Sequence, residues 1–309
     1  MLSKFLNPKN DLAFKRIFGN ERNKDILIHF LNDIFSFKDN PVKEVTFLKS
    51  NQDPEIAALR ESIVDVLCSN TIGDKFIVEM QIDKEPGFTK RAQYYAAKTY
   101  IEQRDKGITY PNLKQVTFLA ITDFKLFPKK KAYLCHHAML DRESGEHDLK
   151  DFSFSFLELP KFKKKKSELK TITEKWAYFF KNAQNTLEQD LPTIVGEDYI
   201  IQRAFDELDR FAWSLEELRN YDSVDMKQEA NKAIIDGARA EGEAIGEARG
   251  KAEGEAIGEA RGEAKGEIKK AKNIAINLLK KNMPIEDIAD TTGLTVAEIK
   301  ELQKITVNI

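Results

Sequence analysis

SIVDVLCSNTIGDKFIVEMQ, residues 62–81, is the stretch that decides the fold of this chain. Two runs of β-branched and apolar residues, 62–68 and 75–82, flank a polar segment that is rich in turn-forming residues. This pattern predicts a β-hairpin. With the turn centred between the runs, Asp65 lies opposite or nearly opposite Glu79, and the Cβ atoms of such partners are roughly 4.5–5.5 Å apart.

Strand alternation places three polar side chains, Asp65, Glu79 and Gln81, on one face of the hairpin. The alternate residues form the predicted core side: Val64, Val66, Cys68, Phe76, Val78, Met80 and Ile82. Facing carboxylates repel each other and are costly to bury, and a divalent cation such as Mg²⁺ would relieve both costs because it prefers oxygen ligands. The alternative is that this face is simply open to solvent, as one face of an antiparallel sheet often is.

The same residues belong to a wider set of motifs. The N-terminal segment NPKNDLAFKRIFG precedes SIVDVL, IVEMQ and the helical pattern TKRAQYYAAKTY, and the matching positions are Asp11, Phe14, Lys15, Phe18, Asp65, Glu79, Met80, Gln81, Arg91, Tyr94 and Tyr95. Together these motifs resemble the PD-(D/E)XK nuclease superfamily, and most closely its recombination-promoting nuclease and transposase branch. The similarity covers residues 5–160 by motif and the rest of the chain in organisation.

The resemblance implies a metal site and a departure from the usual catalytic set. Asp65, Glu79 and the main-chain carbonyl of Met80 would hold Mg²⁺, with Mn²⁺ as the alternative ion. Gln81 occupies the position of the usual lysine, as this branch allows. Its amide can orient a water molecule but carries no positive charge.

Four further residues are candidates for the same site by resemblance. Lys15 or Arg91 would supply the missing cation if the fold brings either close, and Asp11 would add a third carboxylate or an outer contact. The alternative for Lys15 is a side chain that points outward from a helix. Arg91 and Tyr95, four residues apart, either line the substrate groove or form a pair on the helix surface.

The expected fold class is α/β: a restriction-endonuclease-like αβββαβ core with a mixed sheet, followed by a helical C-terminal extension. Periodicity predicts helices over 10–35 and 89–106 and strands over 42–48, 116–122, 133–140 and 152–159. The expected domains are a nuclease-like domain 1–160, a helical accessory region 161–228, a Gly/Glu/Ala repeat 229–268 and a small helical tail 269–309.

The repeat reads GEAIGEARGKAE and then GEAIGEARGEAK, and eight of the fifteen glycines lie between Gly237 and Gly266. Because each glycine costs about 1 kcal/mol in a helix relative to alanine, we favour a polar linker here. A weak helical segment for homo-oligomerisation is the alternative. In the tail, the pattern around Gly293 resembles a helix-turn-helix, although Glu298 and Glu301 make the last helix a poor DNA reader.

The bulk composition allows a cytoplasmic enzyme that binds DNA. The chain of 309 residues has a net charge of −2, so DNA contact requires clustered basic residues, and two such runs occur at 129–131 and 161–166. No apolar run is long enough for a membrane span, and no secretory signal is recognisable. The leading hypothesis is a Mg²⁺-dependent DNA endonuclease of the recombination-promoting or transposase-like type. The alternative is a catalytically inactive nuclease fold that binds DNA or a protein partner.

Overall fold

The structure is a computed structural model that describes residues 3–37, 41–48 and 64–306. Its strands are β1 (Thr46–Phe47), β2 (Val66–Ser69), β3 (Lys75–Gln81), β4 (Val116–Thr122), β5 (Leu134–Ala138) and β6 (Phe152–Glu158). Its α-helices are α1 (Asp11–Phe18), α2 (Lys24–Phe35), α3 (Phe88–Asp105), α4 (Ile172–Asn182), α5 (Leu191–Val195), α6 (Tyr199–Glu207), α7 (Leu215–Leu279), α8 (Ile285–Thr292) and α9 (Val296–Thr306).

The strands form one mixed sheet in the order β1-β2-β3-β4-β6-β5. β2 and β3 are antiparallel, and Val66 pairs with Val78, which is the register that the hairpin pattern predicted. β3, β4 and β6 are parallel to one another, while β1 and β5 run antiparallel at the two edges. Helix α3 connects β3 to β4, as expected for parallel neighbours, so the predicted α/β class is confirmed.

Both faces of the sheet are covered by apolar clusters. The first cluster combines one face of the sheet with helices α1, α2, α4 and α6, and its large buried side chains include Phe14, Phe18, Phe30, Trp176, Phe180 and Phe205. The second cluster combines the other face with α3, through Phe88 and Ala92. The alternative of a solvent-exposed hairpin face is therefore wrong, and Val64 packs in this second cluster rather than on the predicted core side.

Two of the predicted elements are shorter than expected. The helix predicted over 10–35 is divided into α1 and α2, because Gly19 ends the first helix and a 3-10 turn over Glu21–Asn23 follows. The strand predicted over 42–48 is reduced to Thr46–Phe47. Its earlier part pairs with a side chain instead: the backbone N–H and C=O of Val42 bond to the Asn32 amide at 2.7 and 2.8 Å.

Contacts divide the chain into two compact units, Met1–Lys232 and Ala233–Ile309. In the first, most aromatic residues of 161–228 join the same core as α1 and α2, whereas Tyr199 and Phe211 are exposed. In the second, the Gly-rich repeat lies within helix α7 rather than in an irregular linker, and the predicted tail helices are present as α8 and α9. The tail has its own small core, formed by Ala275, Ile288, Leu294 and Ile299. The four domain boundaries expected from composition stay a prediction.

No helix in the described ranges combines the length and hydropathy needed to cross a bilayer. Of the hairpin, residues 62 and 63 lie outside the described residues, as do 38–40 between α2 and β1.

Candidate active site

Two carboxylates lie where the β2–β3 ladder ends. Asp65 immediately precedes β2, and Glu79 lies within β3, one residue beyond the paired Val78. The hairpin register therefore brings the two residues to neighbouring positions. The Met80 backbone N–H donates a hydrogen bond of 2.7 Å to Asp65 Oδ2, which fixes this side chain against β3.

The surroundings of Asp65 favour its neutral form. The pKa of this carboxyl is raised to about 7, first by burial and then by the negative charges of Asp11 and Glu79. The hydrogen bond from Met80 and the positive charge of Lys15 act in the opposite direction. A buried acid that lies close to other acids and has a raised pKa is a candidate residue of a functional site.

Glu79 is 6% exposed, and burial also raises its pKa, against the influence of the Arg91 guanidinium. Its Oε1 accepts a hydrogen bond of 2.8 Å from Arg91 Nη2. Its Oε2 is buried without a hydrogen-bond partner among the described residues. Since an unpaired buried carboxylate oxygen is costly, this atom is a candidate ligand for a cation.

Arg91, on α3, donates hydrogen bonds to both Glu79 and Gln81. Its Nη2 also donates to Gln81 Oε1 at 2.5 Å, and its Nη1 donates to Glu85. The Gln81 amide nitrogen in turn donates to the Asp83 carbonyl at 2.9 Å. The orientation of the Gln81 amide is therefore set by partners on both of its polar atoms.

Lys15 and Asp11 approach the site from α1. Lys15 Nζ lies 3.0 Å from an Asp11 carboxylate oxygen and 3.9 Å from Asp65 Oδ1. The lysine side chain therefore turns toward Asp65, although its side chain is still 37% exposed. Two cations on different helices therefore contact the carboxylates: Lys15, on α1, lies near Asp65, and Arg91, on α3, binds Glu79.

Tyr95, on α3, is a buried residue of the second core cluster. Its side chain packs in the second core cluster and the residue is 8% exposed, so it is not part of a helix-surface pair with Arg91. The neighbouring Tyr94 is 61% exposed. A role of Tyr95 in substrate binding stays a prediction.

A cleft of about 350 Å³ adjoins this group. Its walls come from the start of α1, the end of β3 and the first turns of α7, and they comprise Lys9, Asp11, Met80, Gln81, Ile82, Asp83, Val224, Lys227 and Asn231. Lys9 also forms an ion pair of 2.7 Å with Asp123, whose backbone N–H donates to the Gln81 carbonyl at 3.0 Å.

Sequence reasoning missed Lys9, Asp123 and the residues that α7 contributes to the cleft. Asp123 was accessible in principle, because it directly follows β4, the parallel neighbour of β3, and such strand ends share one edge of a sheet. No sequence signal connects Lys227 or Asn231 with β3, since only tertiary packing brings them together.

The donor set suits one small divalent cation. Mg²⁺ commonly takes one or two carboxylates and completes its shell with water and substrate phosphate, and Mn²⁺ accepts the same oxygen donors. Asp65 and the unpaired Glu79 Oε2 offer such donors. The described residues contain no group of three or more His, Cys, Asp or Glu side chains arranged to hold a metal ion.

Comparison with known families gives one result that covers most of the chain. The model of a family described as PD-(D/E)XK nuclease family transposase matches residues 8–238. This range contains the whole sheet and all of the residues of the candidate site. No curated protein and no solved structure matched the chain.

Proposed function

Because the chain belongs to the PD-(D/E)XK nuclease family transposases, we propose that it is a metal-dependent DNA endonuclease of the recombination-promoting type. The proposed reaction is hydrolysis of a phosphodiester bond, with Mg²⁺ or Mn²⁺ as the cofactor. The observation that carries the proposal is the placement of Asp65 beside Glu79 where the β2–β3 ladder ends, with Glu79 Oε2 buried and without a hydrogen-bond partner among the described residues.

In this proposal, Asp65, Glu79 and the Met80 carbonyl hold the ion. When bound, Mg²⁺ supplies Lewis acidity to the phosphate and lowers the pKa of a coordinated water. The hydrogen bond from Met80 keeps Asp65 turned toward β3. Burial of both carboxylates in a largely dry environment strengthens their attraction for a cation.

Gln81 and Arg91 would divide the work of the usual lysine. The Gln81 amide nitrogen has two N–H groups, and one is used by the Asp83 carbonyl. The other is available to orient water or a phosphate oxygen. Arg91, bonded to the oxygen of the same amide, supplies the positive charge that glutamine lacks. Lys15 would serve as the second cation, on the side of Asp65.

The test is cleavage of supercoiled plasmid DNA in Mg²⁺ or Mn²⁺ by the full chain. We expect nicking or linearisation by the native protein and loss of at least about 100-fold for Asp65→Ala and for Glu79→Ala, since each removes a carboxylate that the metal requires. Lys164→Ala is the matched surface control, because Lys164 pairs with Glu174 away from these carboxylates. Undiminished cleavage by both carboxylate variants would contradict the proposal.

A second candidate function is DNA or partner binding by an inactive nuclease fold. It is favoured by Gln81 at the lysine position and by the three acceptors, Glu79, Gln81 and Glu85, that already occupy Arg91. This candidate predicts DNA binding that weakens with salt and no cleavage in either metal. Metal-dependent cleavage that is lost in Asp65→Ala excludes it.

A further inference from the structure

The lysines of the basic run at 161–166 differ in whether they form ion pairs within the fold. Lys161 is buried and bonds Glu158 at 2.6 Å, Lys164 pairs with Glu174 at 2.5 Å, and Lys166 pairs with Asp190 at 2.6 Å. These three lysines are therefore neutralised within the fold. Lys163 and Lys165 are exposed, and neither forms an ion pair with any residue that the structure describes.

Lys163 adjoins two lysines from other elements. The ammonium group of Lys181, on α4, donates a hydrogen bond to the carbonyl of Phe162, the residue before Lys163. Strands β4 and β6 end side by side, with Thr122 paired with Glu158, so Asp123 with its partner Lys9 and the turn that precedes Lys163 lie at the same end of the sheet. The pKa of Lys181 is also lowered, by its burial and then by the positive charges of Lys163 and Lys9. Asp123, paired with Lys9 at 2.7 Å, is the carboxylate that also acts on Lys181.

This group lies beside the candidate active site. Lys9 lines the cleft together with Gln81, and Asp123 is bonded to the Gln81 carbonyl through its backbone. Three ammonium groups with one carboxylate leave an excess of positive charge at this end of the sheet. An anion would remove their mutual repulsion, and a phosphate oxygen accepts hydrogen bonds from several ammonium groups at once.

We infer that Lys9, Lys163 and Lys181 form a phosphate-binding subsite, which holds a phosphate group of the nucleic-acid strand next to the one that is cleaved. The inference rests on the proposed function for its choice of nucleic acid as the ligand. In this proposal, the bound nucleic-acid strand runs from the carboxylate pair, past Gln81, toward Lys181 on α4. Lys163 and Lys181 act in binding, not in the chemical step.

The test measures DNA affinity without cleavage. The full chain carrying Asp65→Asn is titrated in EDTA with short fluorescein-labelled single strands and duplexes, with and without a 5′-phosphate, over a series of salt concentrations. Lys163→Gln and Lys181→Gln are each added to this background. The matched controls are Lys164→Gln and Lys166→Gln, which remove the same charge from lysines of the same run that are paired within the fold.

We expect Lys163→Gln and Lys181→Gln to bind several-fold more weakly and to lower the slope of log affinity against log salt by about 0.7–0.9 each. The two controls should change that slope little. Equal losses with and without the 5′-phosphate assign the subsite to the internal backbone, and losses confined to the phosphorylated strands assign it to a terminal phosphate. Since Lys181 also bonds a carbonyl, the exposed Lys163 is the deciding position, and Lys163→Arg should restore binding.

Identical slopes for Lys163→Gln and Lys164→Gln would overturn the subsite, even if plasmid cleavage is observed. A lowered slope in Lys163→Gln supports the subsite, even if no cleavage is found in any metal. Absence of salt-dependent binding in every protein would overturn the subsite and the choice of nucleic acid together. The binding measurement therefore tests the phosphate-binding subsite, and the cleavage measurement separately tests the nuclease activity.

Discussion

Asp65 combines a functional position with an environment that is unfavourable for its charge. Its carboxyl is 13% exposed, and its pKa is raised to about 7 by burial first and then by the neighbouring acids. The raised pKa means that the folded, metal-free protein binds a proton more tightly at this site than the unfolded chain does. Such a residue lowers the stability of the fold at neutral and alkaline pH.

We therefore expect Asp65→Asn to stabilise the metal-free protein while removing activity. The native chain loses stability between about pH 4 and pH 7 as the unfolded carboxyl ionises and the folded one does not, whereas asparagine does not titrate. The gain should be small at pH 4 and reach up to about 4 kcal/mol above pH 7, since one pKa unit corresponds to about 1.4 kcal/mol. Urea unfolding in EDTA at several pH values measures it.

Mg²⁺ provides the control for this prediction. Added metal should stabilise the native protein at pH 8 and should leave Asp65→Asn nearly unchanged, because a ligand stabilises only a form that binds it. An Asp65→Asn protein that is less stable than the native one at pH 8 in EDTA would show that the carboxylate is satisfied by its neighbours rather than strained by burial.

At the scale of elements, the repeat within α7 is helical, but its own side chains stabilise the helix only weakly. Arg239–Glu243 and Arg249–Glu253 are exposed pairs at 2.8 and 2.7 Å, and such pairs contribute only about 0.3–0.5 kcal/mol each. The glycines oppose the helix by about 1 kcal/mol each. A Cβ added at Gly250 or Gly254 would meet nothing within 4 Å among the described residues.

We expect Gly250→Ala and Gly254→Ala to stabilise the helix by about 1 kcal/mol each, because alanine removes the entropic cost without a clash. Helical content and its thermal loss, followed by far-ultraviolet circular dichroism of the full chain, measure the effect. Gly293→Ala is the opposite control: it also has open space, but its φ of +70° disfavours a side chain, so it should destabilise the tail. Destabilisation by Gly250→Ala would instead indicate close approach of a partner.

Local patterns predicted the parts of this fold that local chemistry determines. The hairpin register followed from alternation and turn residues, and the break between the tail helices followed from Gly293, which lies at the end of α8 with a φ of +70°. The strand at 42–48 failed because the Asn32 side chain satisfies Val42 in place of a ladder partner. That competition depends on a tertiary contact, and no single-sequence pattern contains it.

The site was predictable to the same extent. Asp65 and Glu79 are set by the hairpin, whereas the partners of Arg91 depend on how α3 lies against β3. The alternative of a solvent-exposed hairpin face was wrong because α3 covers that face. Alternation identifies two faces of a strand, but it does not say whether the second face is covered by a helix that comes later in the chain.

At the scale of the whole molecule, the first turns of α7 belong to the unit that carries the site. Tyr221 is 2% exposed, and its hydroxyl accepts a hydrogen bond of 3.0 Å from the Asn7 backbone N–H. Glu217 pairs with Arg16 at 2.5 Å. These contacts tie α7 to the segment around α1, and the same stretch of α7 supplies one wall of the cleft.

We accordingly expect a chain that ends at residue 232 to unfold cooperatively and to keep the carboxylate site. A chain that ends at 214 should be destabilised by at least about 3 kcal/mol, since it loses the buried Tyr221 ring and the ion pair of Glu217 with Arg16. Urea unfolding of both chains provides the comparison. Equal stability of the two would mean that α7 adds nothing to this unit.

The pairing of β2 with β3 also limits how this protein can vary in length. Side chains alternate along a strand, so sliding the ladder by one position would turn Glu79 away from Asp65 while leaving the hydrogen-bonded sheet intact. Insertions and deletions in the loop at 70–74 are therefore tolerated only if they bulge outward without moving the strands. A library of loop-length variants sorted by folding and by cleavage should separate into two groups, with an intact but inert class among those that shift the frame.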